Sequence, residues 1–548
     1  MTTLTDPIEL GFRPSPQQLR AWRLQQDEET SCAILCALRI EGDLDRRALR
    51  RALAATVTRH EILRTAFRLP AGLSMPLQVI LEPGPVPLLE VDLLDLSPER
   101  QSDGATSLLC DLGSPPFRLE RGEGWRATLV RLGPSEHAML FALSAACADP
   151  GTFKPLAADL FAAYAHQMAG REHDSEPSLQ YVDVAEWQNN LLEGEDAAEG
   201  IEVWREHWRG HDIDTRISLP LPLQESETAP GPFAPRETAV PLTRETAKAL
   251  ARLAGDWGCS TQVLILAAWK AVIQRGTGRD ETLVGVLYPG RDAEELQGVV
   301  GPLARYLPIA ARLGTEASLR EAVVQVQQGL KKAESWGEYF SWDRATGNGH
   351  GSGGFPVCFE AGLQDWKLAV HGLHVAPVWR SSSRVILDRF SLALSCTGEG
   401  EDLRLAVRYD LRRFRGEAAR RLAGRLATFL GSVAARPEAP LADHQTMGEE
   451  ELSHWLELSA TPPAASRGRE GKTLAAVFEE QVDRTPDRLA LVAGDRRLTF
   501  RELDVQANRL AHHLRAAGAG PEVPVALSLE RSVEAVVALL AVWKAGAF

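Results

Sequence analysis

The chain has 548 residues, enough for roughly three or four domain-sized units. Apolar residues make up 44% and charged residues 24%, a balance that fills several cores and leaves a polar surface. Sixty Lys and Arg against 74 Asp and Glu give −14, which argues against nucleic acid or an anionic membrane as partner, since either needs a basic field.

In chain order, SPQQLRAWRLQQDE (15–28) predicts a helix with Ser15 as N-cap and Pro16 in its first turn. CAILCALRIEG alternates as a strand, and LDRRALRRALAATVTRHEILRTAF (44–67) carries leucine and alanine at helical spacing throughout. Residues 78–92 and 125–145 predict strands, the second running into SAACADPG (144–151), and 153–168 a helix. A second block opens near Tyr181 with tryptophan-rich helices (Trp187, Trp204, Trp208). A Pro-rich segment, 219–241, leads to a helix at 244–256, a buried helix from Thr261, and the strand of ETLVGVLYPGR. Residues 344–354 are flexible by composition. DRFSLALSCTG and DLRLAVRYD predict a hairpin, and 411–431 a basic helix with Phe414, Ala418, Leu422, Leu426 and Phe429 on one stripe, a face that is either simply solvated elsewhere or attractive to an acidic partner. Residues 459–472 read as a linker, and a fresh helix–strand–helix pattern runs to Phe548.

The seven cysteines (32, 36, 110, 147, 259, 358, 396) are odd in number and mostly in apolar surroundings. Cys32 and Cys36 lack the second pair or nearby histidines of a zinc site, so no metal is expected and core thiols in a reducing cytosol are. MTTLTDPIEL has neither the basic nor the apolar part of a leader, and no run reaches the eighteen or so apolar residues of a membrane helix. A cytoplasmic protein is the expectation.

SPQQLRAW (15–22), RHEILRTAF (59–67), YVDVAEWQ (181–188) and YPGRDAEELQGVVGPLARYLPIAARL (288–313) resemble, in order, motifs of the condensation domains of nonribosomal peptide synthetases. Beyond the linker, TLAAVFEEQVDRTPDRLALV, LTFREL and VWKAGAF resemble the start of an adenylation domain. The resemblance implies an α/β architecture: two chloramphenicol-acetyltransferase-like lobes in a V-shaped pseudo-dimer, residues 1–175 and 176–458, then the linker 459–472 and a partial adenylation lobe, 473–548. It implies a lobe junction near 170–180 and a central channel lined by SAACADPG. It also implies peptidyl carrier proteins as partners, their phosphopantetheine arms entering that channel, and the rest of an adenylation domain beside it; the chain itself binds no cofactor. Only about 14 residues precede the first motif, and Phe548 precedes the Gly-rich phosphate loop of such domains, so no large upstream docking domain and no ATP chemistry are expected of these residues.

The family's third motif, HHxxxDG, falls on SAACADPG. Counted back from Asp149, Ser144 and Ala145 occupy the histidine positions and Pro150 the glycine position. The second histidine is the one chemistry needs, to take or position the amine proton, and Ala145 has no heteroatom. Pro150 removes a backbone N–H and fixes φ. Arg305 stands where the fifth motif has asparagine, SWGEYFSWD replaces the sixth, and the seventh has dissolved into the glycine loop. His512-His513 is an adjacent pair, but in the adenylation part and without an aspartate at the right offset, so a solvated helix face accounts for it.

Asp149 remains, and the resemblance implies a structural ion pair with an arginine, here Arg291. Cys147 is either a packed core thiol or a nucleophile toward thioesters; no histidine or lysine nearby in sequence would lower its pKa. Ser144 has no visible base. A serine at this position is similar to interface relatives that recruit a trans-acting hydroxylase, but those keep the second histidine. Two functions follow: a non-catalytic scaffold that docks the adenylation domain, a carrier protein or a tailoring enzyme, weak or inactive in peptide-bond formation; or an atypical enzyme that makes an amide or ester by positioning two thioester-bound substrates, since proximity alone supplies about 7–11 kcal/mol.

Overall fold

The computed structural model describes residues 11–28, 32–171, 179–195, 197–208, 233–278, 281–314, 316–341, 354–361, 366–378, 386–460, 472–494 and 496–548. They form two compact units, 1–448 and 449–548. The expected lobe junction, most of the glycine loop and most of the linker lie outside the described residues.

The larger unit is built on two six-stranded mixed sheets. The first runs Leu368–Val370, Leu373–Val378, Ala33–Glu41, Glu136–Ser144, Trp125–Gly133, Leu89–Asp92. The second runs Pro235–Ala239, Arg404–Asp410, Leu392–Thr397, Val357–Ala361, Glu281–Tyr288, Arg305–Arg312. This is the α/β pair of chloramphenicol-acetyltransferase-like lobes implied by the sequence. Residues 368–378 fall within 176–458 yet complete the first sheet, Val378 lying opposite Ala37. The first sheet is therefore assembled from both ends of the unit.

The central strand Glu136–Ser144 is buried from His137 onward, as a strand covered on both faces must be. It carries the chain to the functional region. Residues 125–145 form two strands, turning between Gly133 and Glu136, because an apolar run cannot by itself reveal a hairpin. The helix expected over 44–67 ends at Arg59. Beyond it Glu61–Arg64 is a 3₁₀ turn and Thr65–Arg68 pairs with Leu77–Ile80. Long-range pairing overrides helical periodicity there, and the Trp125 indole N–H, donating to Leu63 O at 2.9 Å, fixes the turn. The strand expected over 78–92 is two short pieces in different sheets. The helix Pro98–Gly113 had no counterpart in the sequence reading.

The helices Pro16–Glu28 and Phe153–Met168 form as expected, and Ser15 Oγ accepts from Gln18 N at 3.2 Å. The basic helix spans Gly416–Ala435, and its predicted apolar stripe is buried from Phe414 to Phe429.

The smaller unit packs helices Leu474–Arg484, Phe500–Ala516 and Val533–Ala545 on the hairpin Leu489–Ala493/Arg496–Thr499, around Leu503, Ala507, Val537 and Leu540. Thr499 and Glu502 close a capping box at the second helix. His512 and His513 are exposed on that helix.

Candidate functional site

The SAACADPG segment is pinned at both ends. Ser144 N donates to Gly124 O at 2.8 Å and Ala145 N to Cys32 O at 2.8 Å, which end the strand. Cys147 N and Ala148 N then turn back onto Ser144 O at 2.9 and 3.0 Å, and Ser144 Oγ accepts from Ala146 N at 3.2 Å. Small side chains are required because all of 144–149 is buried. A Cβ on Gly124 would lie 2.5 Å from Cys147 Sγ, so the thiol is packed against backbone, and burial pushes it up to about 12. A thiol so shifted stays protonated at neutral pH and is a poor nucleophile.

Asp149 is fully buried and N-caps the 3₁₀ turn Pro150–Thr152. Pro150 is the first residue of that turn, where no backbone donor is required, so the missing N–H costs nothing. One carboxylate oxygen accepts from Thr152 N and Thr152 Oγ1, both at 2.9 Å. The other accepts from Arg291 Nη1 at 2.5 Å, Leu303 N at 2.8 Å and Ala304 N at 2.7 Å. Arg291 Nη2 also donates to Gly301 O at 2.9 Å, and its guanidinium lies over Gly151, where a Cβ would approach Nη1 to 2.7 Å. Five donors saturate this carboxylate, leaving it no lone pair for a substrate proton.

The segment 301–304 is held from a second side. Tyr181 Oη donates to Pro302 O at 2.7 Å and lies 2.8 Å from Ser15 Oγ, inside the first motif. A Cβ on Gly301 would fall 2.0 Å from the Tyr181 ring, so only glycine fits. Thr152, Tyr181 and Gly301 were not singled out from the sequence; the Asp-Pro-Gly-Thr capping spacing was the available signal for Thr152.

A cavity of about 240 Å³ opens beside this clasp, walled by Leu19, Arg20 and Ala145 on one side and Pro302, Arg305 and Phe340 on the other. Of residues 144–151, Ala145 alone lines it. The carboxylates in its wall are engaged: Asp388 with Arg20 at 2.8 Å, Glu193 with Arg13 at 2.8 Å. Tyr306 donates to Glu360 at 2.6 Å. Arg305 donates to Glu338 Oε2 at 2.6 Å and Gly337 O at 3.2 Å. Arg305 and Glu338 of the SWGEYFSWD segment, 33 residues apart in sequence, thus meet as one ion pair. Among the described residues no cluster of three or more His, Cys, Asp or Glu is arranged to hold a metal, and no helix is long and apolar enough to cross a membrane.

These features are those of a condensation domain, and residues 13–340 match that family. The chain belongs to it, and residues 478–548 match the AMP-binding enzymes. It is a condensation domain followed by the start of an adenylation domain, homologous to nonribosomal peptide synthetases of antibiotic and secondary-metabolite biosynthesis. It is 31% identical over 551 residues to phosphinothricin tripeptide synthetase PhsC of Streptomyces viridochromogenes, covering 99% of this chain and 49% of that protein. It is 30% identical over 518 residues to tyrocidine synthase 2 of Brevibacillus parabrevis, covering 92% of this chain and 14% of that protein. The chain thus spans half or less of these curated relatives. Among solved structures, the X-domain from teicoplanin biosynthesis superposes with a TM-score of 0.66 at 26% identity, covering 81% of this chain and 99% of that one. The same domain in complex with OxyB is 25% identical at a TM-score of 0.66, covering 82% and 98%.

Proposed function

We propose that this condensation-family domain does not perform ordinary peptide-bond chemistry and acts as a docking platform for the adjoining adenylation domain and for a carrier protein or tailoring enzyme. The observation that carries this reading is Ala145: the one residue of 144–151 that lines the cavity has no basic group in its side chain. Ser144 and Cys147 are turned into packing, and Asp149 is taken up by the clasp. The likeness to an X-domain solved in complex with OxyB supports recruitment of a partner protein. Phosphopantetheine arms of partner carrier proteins would enter the cavity between the two sheets' lobes, where Ala145 leaves room but no base.

The test is single-turnover product formation with matched, loaded carrier proteins, wild type beside Ser144→Ala and Cys147→Ala. The expected result is at most a slow reaction, equal in all three proteins, alongside saturable binding of the loaded carrier. Rates in the usual range for the family would replace the platform with an enzyme that works by positioning alone. Loss of product in Cys147→Ala only would make that thiol the nucleophile.

A further inference from the structure

The second sheet carries another cavity, of about 240 Å³, on the face away from Ala145. Along Arg305–Arg312, Tyr306 faces the first cavity, whereas Leu307 and Ile309 line the second, and the two cavities have no wall residue in common. Its apolar wall is Val263, Leu266, Leu307, Ile309, Leu330 and Phe359. Helix Leu319–Trp336 forms one side, and the helix and the turn that follows it approach the sheet closely at one glycine each. A Cβ on Gly329 would lie 3.0 Å from Ile309 Cγ2, and on Gly337 2.9 Å from Leu307 Cδ1. Between these contacts the small Ala333 leaves the space open. An apolar cavity of about 150 Å³ already accommodates benzene.

The cavity sits at the carboxyl ends of two parallel strands, Glu281–Tyr288 and Val357–Ala361, a place where α/β sheets commonly bind ligands. Ser260 and Gln262 supply polar groups at its rim. Ser260 Oγ accepts from Val263 N at 3.3 Å, which leaves its hydroxyl hydrogen for a ligand. The charged side chain in the wall is Glu334, and Tyr288 Oη donates to Asp292 at 2.5 Å beside it. Negative charge at the rim disfavours an anionic head. We propose that this cavity is a second ligand site, taking a small neutral molecule with an apolar body and one hydrogen-bonding head. It is independent of whether the Ala145 cavity is catalytic.

Benzyl alcohol is the probe, with benzoate as its anionic counterpart, titrated into the 548-residue chain and followed by saturation-transfer NMR and thermal melting. Saturable binding of the alcohol is expected, with benzoate at least tenfold weaker. Ala333→Leu, which fills the space, should weaken the alcohol at least tenfold while leaving the fold intact, whereas Ala145→Phe, which fills the other cavity, should leave binding within twofold. Should Ala333→Leu fail to fold by circular dichroism, Val263→Phe fills the same space from the opposite wall and is held to the same tenfold loss. Absence of saturable binding, equal binding of benzoate, or binding retained in the filled variant would overturn the proposal.

Discussion

Ala145 and Asp149 stand four residues apart on one turn and have opposite surroundings. Asp149 is enclosed by five donors from three segments, whereas the Ala145 side chain borders open space with no polar atom. The contrast separates two jobs within one turn. The Asp149 carboxylate holds the 301–304 segment and the Arg291 guanidinium in place. The Ala145 methyl borders the cavity and offers it no base.

The largest expected effect comes from breaking the first of these. Asp149→Ala leaves a buried arginine without its charge partner and the buried Leu303 and Ala304 N–H groups without an acceptor, and should destabilise the larger unit by about 3–5 kcal/mol, read as a shift in urea midpoint. A loss under about 1 kcal/mol would mean that Arg291 finds water and that the clasp is incidental.

Lys270 sharpens the comparison from within the second lobe. Its amine is fully buried and donates to Ile309 O at 2.8 Å, and burial pulls it down to about 7. Unfolded, it titrates near the ordinary lysine value of about 10.4. Between those values the unfolded chain binds more protons, so this residue makes stability rise with pH from about 7 toward 10. The difference between wild type and Lys270→Met should therefore shrink by about 1–2 kcal/mol from pH 7 to pH 9, the variant being the more stable at pH 7. Parallel stability curves would refute the depressed amine.

The Arg305–Glu338 pair, with side chains 9% and 23% exposed, tests whether these two residues act together or separately. A double-mutant cycle with Arg305→Ala and Glu338→Ala should give a coupling of about 1 kcal/mol. Zero coupling would make them independent changes. The smallest effect is expected at Ala145 itself. Ser144→His with Ala145→His should raise single-turnover product formation by less than tenfold, although general-base assistance is ordinarily worth about a hundred- to ten-thousand-fold. The reason is that Ser144 does not line the cavity, and that Arg305, held by Glu338, stays in its wall. A gain of a hundredfold would show that the rest of the site is still competent.

Much of this molecule was legible from local pattern. Helix starts at Ser15 and Thr261, the stripe from Phe414 to Phe429 and the hairpin ending at Asp410 rest on capping and periodicity, which act over a few residues. Where the reading failed, pairing between strands outweighed the local pattern. Thr65–Arg68 left its helix for Leu77–Ile80, and the apolar run 125–145 folded back on itself at Gly133. The first sheet took its last two strands from 368–378: Leu373–Val378 pairs with Ala33–Glu41, more than 300 residues earlier, and Leu368–Val370 pairs with Leu373–Val378.

Residue types alone determined that the side chain at 145 offers no base, because no fold can give the Ala145 methyl group a lone pair. They also marked Asp149 as the carboxylate of its turn. Only the tertiary structure decided that Cys147 is buried against Gly124, that Thr152 and two backbone N–H groups complete the Asp149 clasp, and that Arg305 meets Glu338. Those outcomes depend on which segments approach in space and on how far burial shifts a proton equilibrium, and neither quantity is carried by spacing along the chain.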